Sequence, residues 1–403
     1  MLLTGCGGGG SGTGSSTTSG TLEYTISFLD SNLDVAYSVT KPSKDYNITD
    51  IAVNELGITL PVYAADGIEV AGNIAYENYS LIQNVNFYID VNDVAEITDQ
   101  EGLSAIRDNL SGKYVLTKDI NLTFDSDEGW LPIGNTGNRF TGIFNGNNHV
   151  ITGLRINRPS TQFVGLFGYA VNTQIKNLGV EAADEIKGKE YIGGIAGIVR
   201  NSNIANSYFT GNISGNHIGG IAGYLHDSNI TNSYFTGNII GDTNNVGGIA
   251  ANAYTNSYIT NSYSTGNISV IHTSNNNFVG GIVGFIADNS FATNNAAINP
   301  SINGGQHTNR IVGCIQKPSA TECMEDASAV TNNFALANIH GTFTDAGSEI
   351  YQGISKTIDD FKAESTYAVD LNWNFGDNAT HPWTIDNNGV KNNGLPYFYW
   401  QDL

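Results

Sequence analysis

The chain has 403 residues, with 17 Lys and Arg against 38 Asp and Glu, so its formal net charge is −21. Such a chain is a poor partner for nucleic acid or for an anionic lipid surface. Its hydrophobic content of 40% is too high for plain disorder. The sequence contains no run of about 18 apolar residues, the length that a membrane-spanning helix would need. Gly contributes 48 residues and Asn 51, which directs attention to internal repeats.

Residues 1–20 have the features of a lipoprotein start. Leu3-Thr4-Gly5-Cys6 has the form of a lipobox, and the Gly/Ser/Thr run that follows is typical of a flexible tether. A complete secretion signal would also have a basic segment and a longer apolar stretch, so we expect either that the true start lies upstream or that the sequence begins part-way. We predict diacylation of Cys6 and export to the outer membrane or cell surface, with membrane contact only through this anchor.

Residues 21–93 differ in pattern from the rest of the chain. Thr21–Leu29 and Asn84–Val91 alternate apolar and polar residues as half-buried strands do, which predicts a small β-sandwich-like domain. Residues 99–110 then have the pattern of one short helix. We expect this helix to cover the first coil of the region that follows, because an open end of stacked strands would recruit other chains.

Two motifs alternate through the middle of the chain. The first is an apolar residue, a glycine pair and an aliphatic residue, and its first glycines stand at positions 165, 193, 219, 247 and 280. Subtraction of neighbouring positions gives a period of 26 to 33 residues. The second motif is Asn-Ser-Tyr-x-Thr-Gly-Asn-Ile, which begins at Asn206, Asn232 and Asn261. A period of this length, built from short β-rich segments, predicts a β-solenoid.

Stacking of coils explains the recurrent residue types. Asn side chains stacked in register can form a hydrogen-bonded ladder, and stacked aromatic rings can pack. The candidates for this structural ladder are Asn206, Asn232, Asn261, Tyr208, Tyr234 and Tyr263. The glycine pair marks a corner that needs either positive φ or close backbone approach. The pattern does not decide which positions point inward, since a turn can interrupt the strand at the Asn.

The repeated unit resembles the GLUG repeat of bacterial surface proteins, which include adhesin-like proteins and the non-catalytic part of some IgA-specific metallopeptidases. Residues 97–154 and 373–400 are similar to the modules that usually precede and close such repeats. We therefore predict an all-β chain, with a right-handed parallel β-helix (β-solenoid) after the sandwich-like domain. The predicted parts are a tether at 1–20, the small domain at 21–93, the solenoid with its N-terminal cap at 94–345, and a Trp-rich capping module at 346–403.

Residues suited to catalysis or metal binding are sparse. The His-Glu-x-x-His zinc motif is absent, so peptidase activity does not carry over, and we expect no enzyme activity and no cofactor. The acidic cluster of Asp125, Asp127 and Glu128 is typical of a solvated loop, and is otherwise a candidate for weakly bound extracellular Ca²⁺. Cys314 and Cys323 are predicted to form a disulfide in an exported protein.

Two functions remain open from the sequence. The resemblance implies adhesion or surface display, with an unknown surface glycan or protein as partner. The alternative is a polysaccharide-binding or polysaccharide-degrading β-helix. A polysaccharide lyase needs a catalytic base, often Lys or Arg, and positions 201–309 contain neither, which counts against a lyase. A glycosidase needs two carboxylates held about 5–10 Å apart.

Overall fold

The computed structural model describes residues 22–402, apart from residues 57, 59–60, 65–68, 71–75, 77–78, 82–83, 90, 92, 243, 273–276, 306, 317–321, 325, 327, 344–347, 377–381 and 387–389. The predicted lipidation site Cys6 and the tether lie outside the described residues. The chain divides into two compact units, one up to Asn92 and the other from Asp93. Strands dominate both units, so the all-β prediction is confirmed.

The N-terminal unit contains two small sheets. A four-stranded sheet has the order Val35–Pro42, Glu23–Leu29, Val85–Ile89 and Val62–Tyr63, and a two-stranded sheet pairs Asp45–Tyr46 with Tyr79–Ser80. The helical turns Ile48–Asp50 and Ile51–Glu55, which the sequence pattern did not predict, add to the same apolar core as Phe28 and Phe87. The side chain of Asn47 caps the first turn by accepting a hydrogen bond from the Asp50 amide. The unit is thus sandwich-like, with a helical side.

The second unit is a β-solenoid of about seven turns, built from four sheets of parallel strands that we name A to D in the order of the chain within one coil. Sheet A contains Gln162–Val164, Glu190–Gly193, Ile218–Gly219, Val246–Gly247, Phe278–Gly280 and His307–Asn309. Sheet B contains Phe167–Val171, Ala196–Arg200, Ala222–His226, Ala250–Tyr254, Val283–Ala287 and Val312–Gln316. Sheet D contains Ile186–Lys187, Ile213–Gly215, Ile239–Gly241, Ile268–Val270 and Ile302–Asn303.

Sheet C has sixteen strands, because most coils contribute two strands to it on either side of the recurrent Asn. Its strands before the Asn are Asn203–Ala205, Asn229–Thr231, Tyr258–Thr260, Phe291–Thr293 and Val330–Thr331. Those after the Asn are Tyr208–Thr210, Tyr234–Thr236, Tyr263–Thr265, Ala296–Ile298 and Phe334–Leu336, and Ile354–Lys356 pairs with the last of these. The sheet is completed by five longer or earlier strands, which are Val94–Ile97, Lys113–Leu116, Ile120–Asn121, Ile143–Leu154 and Gln174–Ala182. Equivalent residues pair in register, so that Tyr208 lies beside Tyr234 and Tyr234 beside Tyr263.

The structure decides which residues of the repeat point inward. Ile204 and Phe209, on either side of the Asn corner, are fully buried in the long core of the solenoid. Tyr208, directly before Phe209, belongs to a separate apolar cluster on the outside of sheet C. The alternation of the strand after the Asn therefore places phenylalanine inside and tyrosine outside.

The two corner residues of the repeat have different roles. The glycine pair has no positive φ and instead allows close approach: a Cβ on Gly219 would lie 2.0 Å from the carbonyl oxygen of Ala222. Positive φ is found at Asn instead, with 48° at Asn206, 45° at Asn232 and 51° at Asn261. Asn tolerates the left-handed conformation better than most residues, so the Asn excess serves the turns as well as the ladders.

Both ends of the solenoid core are covered by short helices. At the N-terminal end, helix Gln100–Ala105 continues as a 3₁₀ turn, Ile106–Asp108, and buries Leu103 in the core. The side chain of Asp99 caps this helix by accepting a hydrogen bond from the Gly102 amide at 2.8 Å. At the other end, helix Glu349–Gln352 buries Tyr351 in the same core.

The described residues between 357 and 402 lie along the side of the solenoid and not on its end. They contain helix Ile358–Phe361, the turns Thr366–Asp370, Asn392–Gly394 and Tyr399–Asp402, and an antiparallel pair of strands, Trp383–Thr384 and Tyr397–Phe398. Residues 346–403 were predicted to cap the end of the solenoid, but within this range only the helix Glu349–Gln352 covers the end of the core. The Trp-rich remainder packs on the outward tyrosines of sheet C, which offer a matching aromatic surface.

Candidate binding face

The tyrosine ladder of Tyr208, Tyr234 and Tyr263 is buried and already has its partners. Neighbouring rings stack with centroids 4.9 Å apart and planes within 5° of parallel. Trp383 and Trp400 lie against these rings from the C-terminal segment. The hydroxyl groups are also bonded, since Tyr234 donates to Gln401 at 3.0 Å and Tyr263 to the Pro396 carbonyl at 2.6 Å. This ladder is therefore structural and is not a surface for a partner.

The asparagine ladder is likewise internal to the stack. Asn206 donates its Nδ2 to Oδ1 of Asn177 at 3.0 Å, and Asn232 donates to Asn206 at 3.1 Å. Asn261 keeps the same backbone conformation, but its buried Oδ1 has no partner among the described residues. The ladder thus supports the corners of the early coils and is interrupted at Asn261.

A serine ladder beside it was missed by sequence reasoning. Ser207, Ser233 and Ser262 are fully buried, and the amide of each of the first two donates to the hydroxyl oxygen of the next, at 3.4 and 3.1 Å. The hydroxyl of Ser233 also donates to the Thr231 carbonyl two residues earlier. The sequence does contain a signal for this ladder, because Ser stands between Asn and Tyr in all three copies of the second motif. Each hydroxyl satisfies backbone groups that the corner leaves unpaired.

The acidic cluster, the weak Ca²⁺ candidate, lies beside two arginine side chains. Glu128 is paired with the Arg158 guanidinium at 2.7 Å, and Arg155 donates to the Ser126 carbonyl at 2.5 Å, so two cations stand where a calcium ion would need to bind. Asp125 and Asp127 are exposed. Within the described part of the chain, no group of three or more His, Cys, Asp or Glu side chains is arranged to hold a metal ion.

A different surface has the features of a binding site. Ten aromatic or imidazole rings form a continuous group on the outside of sheets A and B, each within 4.8–6.5 Å of the next between ring centroids. We name this group the aromatic face; its members are Phe163, Tyr169, Tyr191, His217, Tyr224, His226, Tyr254, Phe278, Phe285 and His307. Most of these rings are half-buried and reach solvent.

Several rings of the aromatic face stack along the solenoid. Tyr191 and His217 are 4.8 Å apart and 9° from parallel, and Tyr224 and Tyr254 are 5.3 Å apart. Burial raises the pKa of Tyr191 and Tyr224, and it raises the pKa of Tyr254 to about 12. The phenols therefore stay protonated near neutral pH, where each can donate one hydrogen bond and accept others.

The disulfide and the histidines complete the geometry of this face. Cys314 and Cys323 are bonded, with their Cα atoms 5.3 Å apart, and pack against Phe278 and Phe285 at one end of the face. Burial lowers the pKa of His217, although Glu190 at 3.9 Å opposes this. His217 is therefore neutral near pH 7 and acts as part of the aromatic stack.

Charged residues are distributed unevenly around the aromatic face. At the end nearer the N-terminus, Arg139 lies 5.2 Å from the ring centroid of Tyr169, and Arg200 donates to the Tyr169 hydroxyl at 3.4 Å. In the later coils, Asp227 and Asp288 occupy the left-handed corner after sheet B. One end of the face thus has cations of its own, whereas the corners of the later coils carry carboxylates.

The construction of the coils agrees with a comparison of the sequence to known families. A family model described as the GLUG motif matches residues 188–214 and 214–240. The two matched segments are consecutive coils, stacked in register with others of the same construction. This is a GLUG-repeat β-solenoid protein. Sheets A to D are therefore the walls of a GLUG solenoid.

Individual proteins resemble parts of this chain. A protein of Evansella cellulosilytica, provisionally named a Gly-rich membrane protein, is 43% identical over 82 residues, which cover 19% of this chain and 10% of the relative. The chain thus spans about a tenth of the length of this curated relative. No helix in the described part of the chain has both the length and the hydrophobicity required to cross a membrane.

Two solved structures are similar to parts of this chain. A crystal structure of a protein from Bacteroides ovatus, provisionally named an immunoglobulin A1 protease, is 19% identical with a TM-score of 0.47, covering 76% of this chain and 92% of the other. A second structure, named IgA1 protease, is 20% identical with a TM-score of 0.39, covering 61% and 22% of the two chains.

Proposed function

We propose that the protein is a non-catalytic binding protein of the cell surface, whose GLUG solenoid presents the aromatic face to a partner outside the cell. The observation that carries this proposal is the half-exposed aromatic face on sheets A and B. Large exposed aromatic surfaces on soluble domains are commonly sites of interaction. The tyrosine ladder, by contrast, is covered by the protein's own C-terminal segment.

The construction of the solenoid supports a role in display. Several consecutive coils are held by ladders of neutral Asn, Ser and Tyr side chains, so these coils stack without the like-charge repulsion that repeated Lys or Asp would cause. Such a stack holds a surface group in fixed geometry, which lowers the entropic cost of binding. The name of the Evansella relative, a Gly-rich membrane protein, and the lipobox at Cys6 support a location at the membrane surface.

Binding to extracellular matrix tests this proposal. The purified chain is immobilised and exposed to host and biofilm matrix, and the variant Tyr224→Ala with Tyr254→Ala is compared with Tyr37→Ala, an exposed tyrosine of the N-terminal unit. We expect the double variant to lose most of the binding and the control to retain it. Equal binding by all three proteins, or normal adhesion of a deletion strain, would refute the assignment.

Product analysis separates binding from degradation. The same polysaccharides are incubated with the protein and examined for new reducing ends or unsaturated sugars. We expect none, because the proposed function is binding alone. Cleavage that persists in highly purified protein would show the alternative, a polysaccharide-degrading β-helix, to be correct.

A further inference from the structure

We propose that the aromatic face binds a basic segment of a partner protein, with Arg or Lys side chains placed beside Tyr224 and Tyr254. This inference rests on the proposed function and specifies the class of partner. It follows from the way in which the protein fills the first part of the same face with its own cations.

The internal example is the surroundings of Tyr169, the first tyrosine of sheet B. Arg139 lies over its ring with 5.2 Å between the guanidinium carbon and the ring centroid, and Arg200 donates to its hydroxyl at 3.4 Å. A guanidinium group therefore fits the aromatic face in two ways, against a ring and at the edge of a phenol. Both contacts are favourable for a planar, weakly hydrated cation.

The later coils lack such cations in their own sequence. After Arg200 the next Lys or Arg is Arg310, and its guanidinium donates to Ser355 and to the Gly353 carbonyl. The coils that carry Tyr224 and Tyr254 therefore contain no Lys or Arg, although sheet B places these two tyrosines on the same outer side as Tyr169. Arg200, in the coil before Tyr224, still acts electrostatically on Tyr224 and Asp227. Tyr254, one coil further on, is instead influenced by the carboxylate of Asp288.

Carboxylates replace neutral residues beside these tyrosines. The left-handed corner after sheet B is occupied by Asn172, Asn201 and Asn256 in three coils, but by Asp227 and Asp288 in two others. Asn and Asp both tolerate this backbone conformation, so the turn itself does not require a charge. Asp227 lies 2.9 Å from the Nδ1 of His226 and accepts a hydrogen bond from Asn256 at 3.3 Å, which holds its carboxylate at the edge of the face.

Charge complementarity therefore favours a cationic occupant. Phenol oxygens at the ring edges can accept hydrogen bonds from guanidinium or ammonium groups, and the two corner carboxylates add charge-assisted contacts. The formal net charge of −21 also attracts a basic partner over longer distances. The hydroxyl groups of a neutral glycan can donate hydrogen bonds to the same carboxylates, but they gain no charge–charge attraction from them.

Calorimetric titration of the full chain with an oligo-arginine peptide tests the inference. We expect Asp227→Asn with Asp288→Asn to weaken binding by about tenfold, the usual effect of losing charge-assisted contacts. The double variant Asp125→Asn with Asp127→Asn removes the same charge from an exposed loop and is expected to change the affinity much less. Tyr224→Phe with Tyr254→Phe is expected to weaken binding, with Tyr37→Phe as its control.

Three results would overturn the inference. These are no binding of oligo-arginine, an equal loss in the two Asp→Asn double variants, or equally tight binding of a chitosan oligomer, an amino-sugar polycation without protein structure. If oligo-arginine fails to bind while Tyr224→Ala with Tyr254→Ala still abolishes matrix binding, the proposed function stands and only the class of partner is wrong.

Discussion

Replacement of Asn232 separates the two roles assigned to the corner asparagines. Asn232 has a φ of 45° and donates one hydrogen bond to Asn206 at 3.1 Å. In Asn232→Ala, loss of the bond costs about 1 kcal/mol and the left-handed backbone costs a further 1–2 kcal/mol or so. Asn232→Gly loses the bond but avoids the strain, at about 0.5–1 kcal/mol of extra chain entropy. We therefore expect the Gly variant to be the more stable by about 0.5–1 kcal/mol.

Asn203 supplies the matched control. It lies in the extended strand Asn203–Ala205 and accepts a ladder hydrogen bond from Asn229 at 2.9 Å, but its φ is not positive. There we expect the opposite order, with Ala more stable than Gly by about 0.5–1 kcal/mol. Guanidinium chloride unfolding followed by circular dichroism measures both pairs. An Ala variant at position 232 as stable as the Gly variant would refute the claim that this corner requires the left-handed conformation.

Three further predictions concern packing, pH and the anchor. Gly220→Ala should lower stability by about 1–3 kcal/mol, because its Cβ would lie 2.2 Å from Phe235 Cγ, whereas Gly137→Ala in an open loop should change the melting temperature little. Burial raises the pKa of Tyr234, so this group should not affect the unfolding curves below pH 10 or so and should lower the stability above it. Phenolate absorbance in the folded protein near pH 10 that is missing from Tyr234→Phe would contradict this. Cys6→Ala should abolish fatty-acid labelling of the full gene product, and persistent label would place the anchor elsewhere.

The repeat made the solenoid predictable from sequence. Each coil presents the same sequence of strand and corner, so a single period describes most of the second unit. The direction of the side chains was not predictable, because the Asn corner interrupts the alternation between Ile204 and Phe209. Tyr208 points outward because the strand restarts after the corner with Phe209 directed into the core.

Neither the aromatic face nor the covering of the tyrosine ladder by the C-terminal segment could be predicted from the sequence, for a different reason. Tyr191 belongs to sheet A and Tyr224 to sheet B of the following coil, so their contact depends on how one coil lies over the next. The Trp-rich ending showed that an apolar surface had to be covered. It did not show which surface, because Trp383 meets Tyr234 through contacts distant in sequence.

The C-terminal segment alters how the solenoid can come apart. Coils that contact only their neighbours can fray from an end one at a time. Here the hydrogen bonds from Tyr234 to Gln401 and from Tyr263 to Pro396 join residues 167 and 133 positions apart, so one segment holds several coils at once. The last coil cannot fray without straining a segment bound midway along the stack, and unfolding becomes cooperative across these coils. Since contacts between residues so distant in sequence are slow to form, we expect these two hydrogen bonds to form late in folding, after the coils that they join have stacked.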